Sequence, residues 1–207
     1  NYLDIFETHK TIDDEDFLCE DSSNTLRLVR NVHKTNECFS SVANHKNIKH
    51  LAEELTGNKV ILLNTKLNFK NAFTGGKFDW HQDSIYFGKN YENTISFIIA
   101  VDDISHNNGP IMVIPQSHRH GIIEVPHRDQ IVEADRADYP KERTENIPYS
   151  LPNNILSKEA QIYGVKSLIG KSGTLFAMNC STFHASNLNL SPFNRTSFLV
   201  RYQCKDI

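Results

Sequence analysis

The sequence has few of the features that mark membrane, disulfide-rich or polyanion-binding proteins. No apolar run among its 207 residues approaches the roughly 18–20 residues of a membrane-spanning helix. The 22 basic and 25 acidic residues give a formal net charge of −3, so no positive field attracts nucleic acid or anionic lipid. The four cysteines show no CxxC pair and no zinc-ribbon spacing, which argues against a disulfide scaffold and a thiolate metal site. We therefore expect a soluble cytoplasmic protein without a nucleic-acid or membrane partner.

Internal repeats and low-complexity tracts are also missing from the sequence. A chain of 207 residues fits one domain, because domains typically contain about 100–200 residues. We expect a single domain over residues 1–207. The first residue is Asn1 rather than Met, so a truncated N-terminus is part of this expectation. Homodimerisation is left open.

Short apolar runs separated by turn signals dominate the chain after residue 58. These runs are KVILLNTKLNF (59–69), TISFIIAVDDI (94–104), IMVIP (111–115), GTLFAM (173–178) and TSFLVRYQ (196–203). Earlier, TLRLVRNV (25–32) predicts a strand, and NIKHLAEELT (47–56) predicts a helix that ends at Gly57. Several short strands with such punctuation favour a sandwich or a double-sheet jelly roll.

The segment from His127 to Gln161 interrupts this β-rich pattern. It is rich in charge, contains Pro140, Pro148 and Pro152, and shows no sustained apolar period. A connection of this length in a compact domain is usually functional or disordered. We predict an insertion over residues 127–160 that closes over an active site as a lid.

The sequence Trp80-His81-Gln82-Asp83 follows the Gly75-Gly76 turn, where a strand is expected to begin. Residues i and i+2 of a strand share a face, so His81 and Asp83 can offer a nitrogen and a carboxylate oxygen to one point. This pair suits Fe(II), Mn(II) or Zn(II), and a second histidine would complete the facial triad of non-haem iron oxygenases. Because the chain has ten histidines, a chance surface or capping pair is the alternative.

A second cluster, Phe183-His184-Ala185-Ser186, lies near the other end of the chain and precedes Arg195, which opens an apolar run. An arginine that enters an apolar strand requires an anion, supplied by the protein or by a ligand. A structural salt bridge is the alternative for Arg195 alone. Together, His81, Asp83, His184 and Arg195 predict an iron site with a carboxylate-binding arginine.

The run Ser117-His118-Arg119-His120 is a competing metal-binding pattern, because cupin-type proteins bind metals through similar spacings. We rank it below the first pattern, since it follows Gly109-Pro110 and Ile114-Pro115 in a segment typical of a structural turn. His118 is expected at the rim of the site and His120 in solvent.

Three stretches resemble the phytanoyl-CoA dioxygenase family of Fe(II)/2-oxoglutarate oxygenases, and most of all its ectoine hydroxylase branch. They are LNFKNAFTGGKFDWHQD (67–83), AVDDISHNNGPIMVIPQSHRHG (100–121) and GKSGTLFAMNCSTFHASNLNLSPFNRTSFLVRYQ (170–203). The resemblance implies a mainly β fold with flanking helices, the double-stranded β-helix or cupin-like jelly roll. It also implies that the protein uses Fe(II), 2-oxoglutarate and O2 to hydroxylate an unactivated C–H bond, with release of succinate and CO2.

The resemblance assigns roles position by position. It implies that His81, Asp83 and His184 bind iron and that Arg195 holds the distal carboxylate of 2-oxoglutarate. Further polar contacts to the cosubstrate are implied for Asn68, Ser186 and Lys70. Since halogenating relatives replace the metal carboxylate by a small residue, the presence of Asp83 favours hydroxylation.

Four residues are candidates for substrate contacts: Asn64, Trp80, Tyr86 and Phe87. For the aromatic residues, a place in the core is the alternative. Ectoine hydroxylases have a glutamine at the position of Asn64 and a tryptophan at that of Phe87, which favours another small, polar, amino-acid-like substrate. The alternative function is a non-catalytic metal-binding jelly roll with a binding or sensing role.

Overall fold

The computed structural model describes residues 16–20, 25–87, 93–131 and 147–205. These residues include three α-helices and ten β-strands. The helices are α1 (Glu37–Ala43), α2 (Lys46–Thr56) and α3 (Asn153–Tyr163). The strands are β1 (Phe17–Cys19), β2 (Leu26–Arg30), β3 (Val60–Lys70), β4 (Phe78–His81), β5 (Ile95–Ala100), β6 (Ile111–Val113), β7 (Lys166–Ser167), β8 (Leu175–Asn179), β9 (His184–Ser186) and β10 (Arg195–Cys204).

The strands form two antiparallel sheets. The large sheet has the order β1-β2-β3-β10-β5-β8, and the small sheet has the order β4-β9-β6-β7. Strands β1, β2 and β3 are adjacent in chain order, but the pairings β3-β10-β5-β8 and β4-β9-β6 join strands that are not consecutive, as expected for a jelly roll rather than for a series of hairpins. The predicted mainly β jelly roll with flanking helices is thereby confirmed.

Strands β3 and β10 form the longest pairing of the large sheet, with Arg195 opposite Lys70 at one end and Arg201 opposite Asn64 near the other. Alternate residues of a strand share a face. One face of this pair therefore carries a polar set from both strands, and the other carries the apolar core. The polar set consists of Asn64, Lys66, Asn68 and Lys70 from β3 and Arg195, Ser197 and Arg201 from β10.

The apolar face of the large sheet packs against α1 and α2. Leu67, Phe97 and Val200 are fully buried in this core, together with Ala43 and Ala52 from the two helices.

One cap at the start of α1 and one at the end of α2 define where these helices begin and end. The side chain of Asn36 accepts hydrogen bonds from Cys38 N and Phe39 N at the start of α1. Gly57 ends α2 with a φ of 69°, a left-handed conformation in which glycine is favoured.

Helix α3 lies inside the segment that the sequence predicts to be an irregular excursion. It packs through Leu156 against Ile114 and Phe183, which form a second core with Leu151. The helical period escapes detection because Pro152 and charged residues surround a short apolar stripe. The expectation of an irregular segment is therefore wrong for residues 153–161, and residues 132–146 of the predicted lid lie outside the described residues.

Two negative expectations about the chain can be compared with the structure. All four cysteines are free thiols, so they form no disulfide bond. Among the described residues, no helix has both the length and the apolar character that crossing a bilayer requires.

Candidate metal centre

Two histidines face each other across the small sheet. His81 ends β4, His184 opens β9, and the two are paired in the antiparallel register. Their rings lie 4.2 Å apart between centroids. Asp83 completes a cluster in which one donor atom of each residue lies within 4.8 Å of the others. All three residues are buried, with exposed fractions of 6%, 6% and 8% for His81, Asp83 and His184.

His81 and Asp83 do not lie on the same strand, contrary to the prediction. Strand β4 ends at His81, and Asp83 begins a 3-10 helix that runs to Tyr86. The two side chains still converge because Gln82 between them keeps an extended backbone, with φ −116° and ψ 134°. The sequence pattern therefore gave the correct direction of the side chains but the wrong element for Asp83.

The side chain of Gln82 points away from the cluster and forms hydrogen bonds with two loops. Its Nε2 donates to Gly121 O and Ser181 O, both at 2.7 Å, and its Oε1 accepts from Ile123 N at 2.8 Å. The side chain is 2% exposed, and its amide hydrogen bonds are used within the protein. Gln82 thus has a structural role in holding the link between the two candidate ligands.

Hydrogen bonds to the backbone fix the orientation of both imidazoles. His81 Nδ1 lies 2.7 Å from Asp79 O, and His184 Nδ1 lies 2.9 Å from Thr182 O. A carbonyl oxygen can only accept, so each Nδ1 carries the proton and each Nε2 is an unprotonated lone-pair donor. Burial lowers the pKa of His81 to about 3 and also lowers the pKa of His184, so both rings are neutral at neutral pH. Neutral imidazole is the form that binds metal ions.

Arg201 pairs with the carboxylate of Asp83. This fully buried guanidinium donates from Nη2 to Asp83 Oδ2 and from Nε to Ser96 Oγ at 3.0 Å. Burial alone raises the pKa of Asp83, but the charges of Arg201 and Lys66 outweigh it and hold the pKa below its usual range. Two neutral nitrogens and one ionised oxygen therefore meet at one point, which fits a divalent ion such as Fe(II).

A cavity of about 80 Å³ connects the cluster to Arg195, and we refer to it as the Arg195 cavity. Arg195 is buried and donates to Asn108 O, to Gly109 O and, at 3.2 Å, to Ser197 Oγ. No carboxylate among the described residues forms an ion pair with it. Asn68, Lys70 and Ser186 also line this cavity, so the structure brings together all the residues assigned to the cosubstrate.

Lys70 and Gly109 shape the end of the Arg195 cavity. Lys70 Nζ donates to Gly76 O and, at 2.6 Å, to Asn187 O. Burial, together with the neighbouring charge of Arg195, lowers the pKa of Lys70 well below its usual value. Gly109 has a φ of 70°, and an added Cβ would lie 2.6 Å from Lys70 Cδ. A side chain at this position would therefore push Lys70 out of its place beside Arg195.

A second cavity, of about 310 Å³, also borders His81 and Asp83 and is called here the Tyr86 cavity. Asn64, Tyr86 and Phe87, three of the four residues predicted to contact substrate, line this cavity. Trp80 does not: it packs against the second core. The reason is that neighbouring residues of β4 point to opposite faces, so Trp80 lies on the side away from His81. The suggestion of a substrate contact for Trp80 is therefore wrong, and the core alternative applies.

The competing histidine pair does not form a metal site. His118 lines a separate cavity, and His120 Nε2 lies 2.9 Å from Glu159 Oε2 on α3. Among the described residues, only the cluster of His81, Asp83 and His184 brings three metal-binding side chains together.

Sequence reasoning missed two charged residues of the site. Lys66 lines both cavities, and Arg201 binds Asp83. Each lies on the same strand face as predicted site residues. Lys66 lies two residues from both Asn64 and Asn68, and Arg201 lies six residues after Arg195. Strict alternation along β3 and β10 was the signal that could have found both.

A double-sheet jelly roll with two buried histidines and one carboxylate at a cavity is the arrangement of mononuclear non-haem iron oxygenases. The sequence model of the family described as Phytanoyl-CoA dioxygenase (PhyH) matches residues 7–197. The chain belongs to this family.

Two characterised enzymes are among the similar sequences. L-proline trans-4-hydroxylase from Streptomyces griseoviridis is 30% identical over 190 residues, which cover 88% of this chain and 69% of the enzyme. Ectoine dioxygenase from Stutzerimonas stutzeri is 29% identical over 192 residues, which cover 90% of this chain and 61% of the enzyme. The chain thus spans about two thirds of the length of these relatives.

Solved structures support the same fold. EctD from S. alaskensis, crystallised with 2-oxoglutarate and 5-hydroxyectoine, superposes with a TM-score of 0.77 at 23% identity, covering 98% of this chain and 65% of that one. The 2-oxoglutarate-dependent carbocyclase SnoK from nogalamycin biosynthesis gives a TM-score of 0.68 at 16% identity, covering 99% and 72%. At these identities the likeness establishes the fold.

Proposed function

We propose that this protein is an Fe(II)/2-oxoglutarate-dependent dioxygenase that hydroxylates an unactivated C–H bond of a small, amino-acid-like substrate. The observation that carries the proposal is the convergence of His81, Asp83 and His184, all buried and in the protonation states that a divalent ion requires. Membership of the family and the similarity to proline and ectoine oxygenases support it. A bound Fe(II) ion supplies the activation of O2 coupled to decarboxylation of 2-oxoglutarate.

In this proposal the Arg195 cavity receives the cosubstrate. Its far carboxylate pairs with Arg195, whose planar guanidinium suits bidentate contact and has no carboxylate partner in the described chain. Asn68 and Ser186 supply polar contacts along the wall, and Lys70 adds positive charge or a hydrogen-bond donor beside Arg195. The keto and near carboxylate groups then face the histidine–aspartate cluster.

The prime substrate enters the Tyr86 cavity, which adjoins the same cluster through His81 and Asp83. Its volume of about 310 Å³ lies at the low end of small-molecule sites, which favours a compact substrate. Asn64 offers a polar wall, and Tyr86 and Phe87 offer an apolar one. These walls hold one C–H bond near the metal and exclude water from the oxidant.

The test is the visible absorbance of the protein with Fe(II) and 2-oxoglutarate under anaerobic conditions. We expect a charge-transfer band in the natural protein and its loss in His81→Ala and Asp83→Ala. With O2, the natural protein should release succinate, and both variants should release at least 100-fold less. A protein that binds the metal but shows neither the band nor succinate would instead be a non-catalytic metal-binding jelly roll.

A further inference from the structure

Lys66 is a cation at the candidate metal centre whose ammonium group is near Asp83 but forms no ion pair with it. It lies on the polar face of β3, directly opposite Leu199 of β10, and lines both the Arg195 cavity and the Tyr86 cavity. The described residues provide no hydrogen bond and no ion pair for its ammonium group. A half-buried charge without a hydrogen bond or ion pair is costly, so its presence beside a cavity points to a ligand.

The carboxylate of Asp83 does not neutralise Lys66. Asp83 Oδ2 accepts a hydrogen bond from Arg201, and the same carboxylate faces the two histidine Nε2 atoms at 3.8 and 4.0 Å. Burial and the charge of Arg201 lower the pKa of Lys66 to about 8 in the metal-free protein, and a carboxylate bound beside the amine favours its protonated form. A divalent ion at the cluster adds further positive charge nearby.

We propose that Lys66 binds the carboxylate of the prime substrate in the Tyr86 cavity and thereby selects acids over neutral analogues. This inference rests on the proposed function. Arg195 already supplies a cation for the far end of 2-oxoglutarate, about four residues along β3–β10 from Lys66 in the paired register. Arg30 also lines the Tyr86 cavity, but it already has an interaction within the protein. Lys66 has neither a hydrogen bond nor an ion pair among the described residues, so its ammonium is available for a second anion.

The surroundings of Lys66 fit the remaining parts of an amino acid. Asn64, two residues away on the same face of β3, has a buried Oδ1 atom without a hydrogen-bond donor among the described residues. A carbonyl oxygen in this position suits the ammonium group of a zwitterion. Tyr86 and Phe87 then face the carbon skeleton. Carboxylate, ammonium and hydrocarbon each have a matching wall.

The experiment compares acids with their carboxamides by calorimetry, using anaerobic enzyme loaded with Fe(II) and saturated with 2-oxoglutarate. The probes are L-proline, the other proteinogenic amino acids, and the matched amides such as L-prolinamide. The variants are Lys66→Met, which removes the charge at similar length, and Lys66→Arg, which keeps it. Lys171→Met, an exposed lysine paired with Asp103, is the control.

We expect at least one acid to bind the natural protein 10–100-fold more tightly than its amide, as a charge-assisted contact of about 1.5–3 kcal/mol requires. In Lys66→Met this preference should fall below about threefold, whereas Lys66→Arg and Lys171→Met should keep most of it. The Kd of 2-oxoglutarate should change less than threefold in Lys66→Met.

Three results would overturn the inference while the proposed function stands, because the Fe(II)–2-oxoglutarate band would still form. One is that no acid of the panel binds the natural protein. Another is an undiminished preference for acids in Lys66→Met. The third is a loss of 2-oxoglutarate affinity in Lys66→Met with unchanged binding of the acid, which would place Lys66 in the cosubstrate site. Absence of the band itself would overturn both proposals.

Discussion

Arg201 and Asp83 form a buried ion pair between residues 118 positions apart in the chain. The pair joins the end of the large sheet's central strand to the 3-10 helix that follows β4. Because a guanidinium is the principal partner of Asp83, the carboxylate is ionised and oriented before any metal binds. The second oxygen, Oδ1, lies 4.0 Å from Nε2 of His81, and Oδ2, which Arg201 binds, lies 3.8 Å from Nε2 of His184.

Removing the guanidinium should destabilise the metal-free protein more than the metal-bound one. In Arg201→Met, Asp83 becomes a buried charge without its main partner, which costs about 3–5 kcal/mol. We expect the Tm of the metal-free protein to fall by roughly 6–20 °C, since each kcal/mol shifts the Tm of a chain this size by about 2–4 °C. Ni(II) or Mn(II) should restore part of the loss by supplying positive charge to Asp83. Thermal unfolding with and without metal measures both effects.

A double variant separates charge from packing in this prediction. Adding Asp83→Leu to Arg201→Met removes the unpaired charge, so the double variant should be more stable than Arg201→Met alone. Arg119→Met, an exposed arginine, serves as the control and should leave the Tm unchanged. Equal Tm values for the natural protein and Arg201→Met would show that the pair contributes nothing to stability.

Arg195→Gln should weaken the binding of 2-oxoglutarate without weakening that of the metal. The guanidinium lies at the far end of the Arg195 cavity, and its hydrogen bonds do not involve the histidines or Asp83. Loss of a charged hydrogen-bond pair worth about 1.5–3 kcal/mol predicts a 10–100-fold higher Kd for 2-oxoglutarate. The Kd of Arg195→Lys for 2-oxoglutarate should lie between those of the natural protein and Arg195→Gln, since lysine keeps the charge and loses the bidentate geometry. Calorimetric titration of the metal and then of 2-oxoglutarate distinguishes the two effects.

The sequence carried most of the information on the strands and on the three candidate ligands. Short apolar runs between turn signals indicated strands such as β3, and the Gly57 signal placed the end of α2. The histidine and aspartate ligands were identified because a metal site restricts residue types and spacing. These features are local, or recur as a motif, and can therefore be recognised without coordinates.

Features that depend on tertiary packing could not be found this way. Helix α3 has a short apolar stripe that becomes meaningful only beside Ile114 and Phe183. The assignment of Trp80 to the core required knowing which face of β4 meets the second core. The partner of Asp83 was hidden because Arg201 is far away in sequence and the strand order β3-β10-β5 decides which residues it meets.

Acid should destabilise the metal-free protein at pH values where the histidines of the unfolded chain take up protons. The folded-state pKa of His81 is about 3 against an ordinary 6.5, and the pKa of His184 is lowered as well. Below pH 6.5 the unfolded state binds more protons than the folded state, so the free energy of unfolding decreases as the pH falls. Each histidine contributes at most about 1.4 kcal/mol per pH unit until its folded pKa is reached.

Denaturant unfolding between pH 7.5 and 5 checks this dependence. In His81→Gln the contribution of one ring disappears, so the stability should change less steeply with pH than in the natural protein. His50→Gln is the matched control, because His50 is an exposed residue of α2 that pairs with the exposed Glu54. An identical pH slope in His81→Gln and in the natural protein would contradict the lowered pKa.

Two residues of the predicted lid, His127 and Tyr149, are joined through ring contacts to Tyr86 of the Tyr86 cavity, and from this position we expect residues 127–160 to act on substrate. Tyr149 stacks edge-on against Tyr86 with ring centroids 5.6 Å apart and against His127 at 5.4 Å, and Ile147 lines the cavity. We therefore expect Tyr149→Ala to raise the Kd of the amino acid that binds the natural protein by about 3–10-fold, with an unchanged Kd for 2-oxoglutarate. Tyr163→Ala, which affects the second core instead, controls for general loss of stability.

In the natural protein, cleavage by trypsin within 127–160 should slow when 2-oxoglutarate and that amino acid are both bound. Cleavage at the same rate with and without them would show that this segment does not close over the site.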